Sequence, residues 1–350
     1  MPVRVIKYLS PIIVYVLALI SFTNTGWLTG LALMHSFLLL PLLELVITTD
    51  DTNLDEAEAE VAKADRTYDY LLYFFVALQF FALFYFLFSM TETAHLRWWE
   101  IAARVGTMGL LCGTFGINVG HELGHRVNTF EKVLAKGALL TSLYMHFKIE
   151  HNKGHHKKVA TPNDPASARY NEPIYLFFVR TIIFSYLSAW QIANNEIKKK
   201  GLPVLHIQNE MIQVHIIQLL FVAAIVFFFG WTITVYYLCA ALIGILFLET
   251  VNYIEHYGLQ RKEVEAGKYE RAMPHHSWNS NHIIGRMMLF ELSRHSDHHY
   301  MASKKYQVLQ HHDNSPQLPT GYPGCMLLTL IPPVWFYIMN RKIKALQKIT

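Results

Sequence analysis

Nineteen histidines in 350 residues form clusters whose spacing suits metal binding. His121-Glu122-Leu123-Gly124-His125 sets two imidazoles four residues apart, on one face of a helix, where they can share an ion. Glu150-His151-Asn152-Lys153-Gly154-His155-His156 repeats that spacing and adds a third imidazole, and Arg294-His295-Ser296-Asp297-His298-His299 supplies spacings of three and four. A ninth candidate, His256, stands in Asn252-Tyr253-Ile254-Glu255-His256-Tyr257-Gly258. One structural zinc takes four ligands and a catalytic zinc three, so nine nitrogens exceed one ion and suit two ions of four to five ligands each. Imidazole serves zinc and iron alike. A polyhistidine site beneath an apolar bundle favours iron, and oxygen chemistry on a lipid-soluble substrate.

His121 to His125 also matches H-E-x-x-H literally. A zinc protease would use Glu122 as general base and leave the other seven histidines idle, which disfavours it. The carboxylates beside the clusters, Glu122, Glu150, Glu255 and Asp297, are placed to take the free N–H of a ligating imidazole and fix its tautomer. His275 and His276, in Pro274-His275-His276-Ser277-Trp278, are assigned a supporting role of the same kind. The three cysteines, Cys112, Cys239 and Cys325, lie far apart and make neither a disulfide framework nor an iron–sulfur site.

The elements that position these residues read as membrane spans. The chain is 53% hydrophobic and 16% charged, against roughly a quarter charged for soluble domains. That excludes disorder and fibrous classes, and a net charge of +4 gives nucleic acid no special claim. A spanning helix needs roughly 20 mostly apolar residues. Six stretches qualify: 8–27, 29–49, 70–90, 98–120, 211–230 and 231–251. Two shorter apolar segments, Val133–Phe147 and Ile174–Trp190, the second broken by Arg180, suit interfacial helices, as does Met326–Ile338 with its Pro332-Pro333. With the N-terminus inside, 28 of the 30 Lys and Arg fall on inward segments, which fixes the orientation by the positive-inside rule. The expected architecture is all-α: a single membrane-integral domain over 1–350, six spans, and a cytoplasmic histidine-rich cap from 121–210 and 252–350. All nine candidate ligands fall on that inner side. Gly106, Gly109, Gly113, Gly116 and Gly120 recur at steps of three and four along the fourth span, a face built for close helix packing.

These residues resemble the AlkB-type integral-membrane alkane 1-monooxygenases, within the fatty-acid-desaturase-like histidine-box superfamily. The matching boxes are HELGHR (121–126), EHNKGHH (150–156), LSRHSDHH (292–299) and NYIEHYGL (252–259), with further likeness in ATPNDPAS (160–167), PHHSWNSNH (274–282) and LPTGYPG (318–324). NYIEHYGL separates alkane hydroxylases from desaturases and, less sharply, from xylene-type methyl monooxygenases. The resemblance runs from about residue 8 to residue 340. It implies two iron ions, dioxygen as co-substrate, and terminal hydroxylation of an n-alkane to a primary alcohol. It further implies electrons from NADH through a rubredoxin reductase and rubredoxin, at the inner membrane of a bacterium. Arg126 stands where Lys is common in the first box, which keeps the charge.

An alkane has no polar handle, so the position attacked must be set by the shape of an apolar channel. Family behaviour implies that bulk on the second span limits chain length, and matching Pro41-Leu42-Leu43-Glu44 places that position near Ser36. Two rival readings use the same boxes, a xylene-type methyl monooxygenase and a fatty-acyl desaturase or hydroxylase. A metal transporter would instead place ionisable residues along the spans, which are almost bare of them.

Overall fold

The computed structural model describes residues 2–347; Met1 and residues 348–350, Lys348 of the last basic segment among them, lie outside the described residues. The molecule is mostly helical. Helix α1 (Arg4–Thr23) turns at Gly26, whose φ of +65° suits glycine, into α2 (Gly26–Val46). The short capped helix α3 (Glu56–Ala64) leads to α4 (Thr67–Ser89). Helix α5 runs over 98–124, with helical dihedrals at both of its internal junctions. Helix α6 (Thr129–Leu140) and the short α7 (147–158) precede α8 (Ile174–Lys199) and α9 (Glu210–His256). The remainder carries α10 (Ile283–Met288), α11 (His295–Tyr300), α12 (Tyr322–Thr329) and α13 (Pro332–Gln347). A small exposed antiparallel hairpin, β1 (Glu263–Glu265) and β2 (Lys268–Tyr269), departs from the all-helical expectation.

Among the described residues, α1, α2, α4, α8 and α9 are long and apolar enough to cross a membrane. Helix α9, 47 residues long, would reach about 70 Å if straight. It is broken at Gly230 (φ +79°). Beyond the break the chain doubles back, bringing the Phe221 and Tyr237 rings to 6.0 Å. Helix α8 continues past the apolar segment expected at 174–190, to Lys199. Arg180 does not interrupt it, because its guanidinium makes paired bonds to Glu172 (2.6 and 2.7 Å) and donates to the carbonyls of Pro165 and Ser167.

Polar residues near the start of α5 are used by the backbone. Arg104 donates to the carbonyls of Asn24 and Ser89, and Glu100 accepts from the N–H groups of Gly26 and Arg97. The glycine face of α5 packs as expected. A Cβ at Gly109 would meet Ile243 at 2.5 Å, one at Gly113 would meet the Gly244 carbonyl at 2.8 Å, and one at Gly120 would meet Leu139 at 2.9 Å. Such approach pins the histidine-bearing end of α5 against α6 and α9. At that end a second core of Tyr253, Tyr257, Trp278, Tyr322 and Trp335 ties α9 to α12 and α13.

Candidate metal centre

Four elements converge at one end of the bundle. The last turns of α5 carry His121 and His125, α7 carries His151, His155 and His156, the end of α9 carries His256, and α11 carries His295, His298 and His299. All nine histidines named from the sequence come together, in two groups. His121, His125, His151, His156 and His298 form one; His155, His256, His295 and His299 form the other. Within each group one ligand atom per residue lies within 4.8 Å of all the rest. Adjacent Nε2 atoms are 3.0 Å apart for His121–His298 and His151–His156, 3.1 Å for His156–His298, 3.2 Å for His121–His125 and His155–His299, and 3.3 Å for His256–His295. The groups adjoin through His156 and His299, whose rings are 4.5 Å apart.

Ligand nitrogens roughly 2.1 Å from a common ion lie about 3.0 Å apart at right angles and about 3.4 Å apart at tetrahedral angles. The observed spacings fall in that range, so both groups fit a metal ion. Protonation also suits ligation, which needs neutral imidazole. Burial, then mutual repulsion, pushes His121, His151, His156, His298, His295 and His299 well down, and burial with the Arg126 charge takes His125 to about 3. His155 goes the other way. Burial disfavours its charged form, but the Asp164 carboxylate, 2.9 Å from Nδ1, outweighs that and raises it.

The expected supporting carboxylates divide. Glu255 Oε2 is 3.1 Å from His295 Nε2, the nitrogen that faces the group, and Oε1 accepts from the Tyr322 hydroxyl at 2.7 Å. Glu122 instead accepts from Arg126 (2.6 Å) and from the N–H of Tyr306. Asp297 holds Lys304, His312 and the Gln310 N–H, with none of the nine imidazoles among its partners. Glu150, pushed up to about 7 by burial and by Asp164, accepts from Ser188. His275 and His276 sit apart from the nine, grouped with Glu270. His276 Nδ1 accepts from the Met273 N–H, which places its proton on the Nε2 that faces Glu270 at 3.3 Å. Spacing alone does not single out Asp164; the signal for it is the Asn163-Asp164-Pro165 turn within 160–167.

A narrow, mostly apolar cavity abuts the centre. His121, His151 and His295 face it, Ser36 and Phe37 line it from α2, and Leu110, Thr114 and Phe115 from α5. Three π-helical turns occur among the described residues: His35–Leu39, Cys112–Ile117 and His151–His155. Each contributes to the cavity wall or the metal centre, where such turns recur in proteins generally. The first lies just before Pro41, which can donate no backbone bond and crowds the preceding turn. The widened ladder there, with the Leu40 N–H reaching His35, turns Ser36 inward, 7% exposed.

Donor set, apolar cavity and helical bundle together describe a membrane oxidoreductase of the histidine-box class. Residues 96–328 match the family model described as fatty acid desaturase. The chain is 40% identical to alkane 1-monooxygenase 2 of Pseudomonas aeruginosa over 314 residues, 88% of this chain and 82% of the relative. It is likewise 40% identical to alkane 1-monooxygenase of Ectopseudomonas oleovorans, over 91% of this chain and 80% of that one. Likeness to a xylene/toluene monooxygenase hydroxylase component of Pseudomonas putida is weaker, 26% over 69% of this chain and 64% of that one. The chain belongs to the alkane 1-monooxygenase family.

Proposed function

We propose that the protein hydroxylates the terminal carbon of medium- to long-chain n-alkanes, consuming dioxygen and producing primary alcohols. The observation that carries this reading is the division of nine buried or half-buried histidines into groups of five and four, facing an apolar cavity. The five-histidine group and the four-histidine group would each hold one iron ion. Irons bound there supply reductive activation of dioxygen and delivery of one oxygen atom to a C–H bond. The protein's own residues supply the rest. Phe37, Leu40, Leu110, Phe115 and Phe247 form a wall that excludes water and aligns a chain with no polar group. Asp164 holds the His155 Nδ1 proton, which turns its Nε2 toward the four-histidine group. Tyr322 fixes the Glu255 carboxylate at the boundary between cavity and centre.

The electron donor in this reading is rubredoxin, reduced by an NADH-dependent reductase. The protein lies in the bacterial inner membrane as one integral domain, with α1, α2, α4, α5 and the two limbs of α9 as its six spans and the metal centre on the cytoplasmic side. The weaker likeness to the xylene/toluene enzyme favours alkanes over aromatic methyl groups. Purified protein supplied with dodecane, NADH, reductase, rubredoxin and isotopically labelled dioxygen tests the reading. It yields labelled 1-dodecanol; an alkene product, or an alcohol without the label, contradicts it.

A further inference from the structure

The two histidine groups differ in how solvent can reach them. In the five-histidine group His125 and His156 are half-buried, whereas all four members of the other group are buried, with His256 at 0% exposed and His299 at 7%. A broad polar basin between α3, α4 and the segment after α11 reaches inward as far as His125. Its walls include Val127, 89% exposed, and Ser303. No member of the four-histidine group lines that basin. Two of them border other spaces: His295 the apolar cavity on the other side, and His155 a small pocket beside Glu150 and Glu249. That cavity is walled mostly by apolar side chains, with Glu44, Asn118, Asn252 and Glu255 as exceptions, so a hydrated divalent cation sheds its water there at much greater cost than in the polar basin.

We infer that the two ion positions load and unload in sequence, with His125 as the gate: the four-histidine position exchanges its ion only through the five-histidine position. The inference rests on the two-ion reading above. It requires that a hydrophilic chelator strip one ion quickly and leave the other.

Iron-loaded protein in nanodiscs, treated with excess EDTA and sampled for iron per chain, tests it. A fast loss of one of two irons followed by a much slower loss of the second is expected. His125→Ala should be isolated with the outer iron gone and one iron retained. Because that variant removes a ligand, Val127→Trp with Ser303→Trp serves as a second probe: it touches no ligand, narrows the basin, and should slow the fast phase several-fold while leaving the starting iron content at two. Loss of both irons in one phase, or a fast phase unmoved by the narrowed basin, overturns the inference. Protein that starts with fewer than two irons instead contradicts the two-ion reading on which it stands, so the two failures are told apart before chelator is added.

Discussion

His155 and Asp164 form a solvent-excluded pair, with Nδ1 and Oδ2 2.9 Å apart and side-chain exposures of 1% and 0%. Asp164 is itself fixed by the Ser167 hydroxyl and the Ala166 N–H. A nine-residue step in sequence thus becomes an orienting contact for one imidazole of the buried four-histidine group. Its removal leaves a buried imidazole free to rotate or to change tautomer.

Asp164→Ala should weaken iron binding by about 10- to 100-fold, the usual effect of removing such a partner. Competition titration against a chelator of known affinity measures it. Unchanged affinity in a variant with wild-type helix content would contradict the role given to the pair.

Ser36→Trp should shift the product profile toward shorter alkanes, because a side chain turned into the cavity by the π-turn would fill its length. Competition among alkanes from octane to hexadecane reads this directly. An unaltered profile would remove Ser36 from the wall that sets chain length.

The clustering of the nine histidines was legible in the sequence because metal ligation restricts residue type and because spacings of three and four survive in a helix. Which histidine joins which group was not, since it depends on how α5, α7, α9 and α11 meet. His151, His155 and His156 are near neighbours in sequence yet serve two groups, because the π-turn at His151–His155 alters which faces they present. The continuous α8 was hidden by Arg180, a charge whose partners lie in the preceding loop. Asp297 and Glu122 looked like imidazole partners by proximity alone; Lys304 and Arg126 hold them instead.

Glu291 carries a pH-dependent share of stability. Burial opposes its ionisation, but Arg286 and Lys7, at 2.6 and 2.9 Å, hold its pKa down at about 2 against an ordinary 4.5. A depressed carboxyl stabilises the fold above its unfolded-state pKa, and that contribution drains away as pH falls from about 4.5 toward about 2. The shift corresponds to about 3 kcal/mol. Glu291→Gln should therefore lower thermal stability at neutral pH and flatten the acid limb of the stability profile. A variant with the wild-type acid limb would refute this.

Gly113→Ala should destabilise by about 1–3 kcal/mol, the usual range for overpacking, because its Cβ would lie 2.8 Å from the Gly244 carbonyl and 2.9 Å from Phe247 Cβ. A lowered thermal midpoint in detergent is the readout. The neighbouring Gly106 meets only a leucine methyl, at 3.1 Å, so Gly106→Ala should be the milder change; equal effects would argue against close backbone packing as the cause.

Nine histidines in groups of five and four should hold two ions in unlike sites. Mössbauer spectroscopy of protein grown on isotopically enriched iron, with metal content measured on the same sample, tests it most directly. Two irons per chain are expected, in two distinguishable all-imidazole environments, five nitrogens on one side and four on the other. One iron per chain, two identical sites, or zinc in place of iron would contradict it.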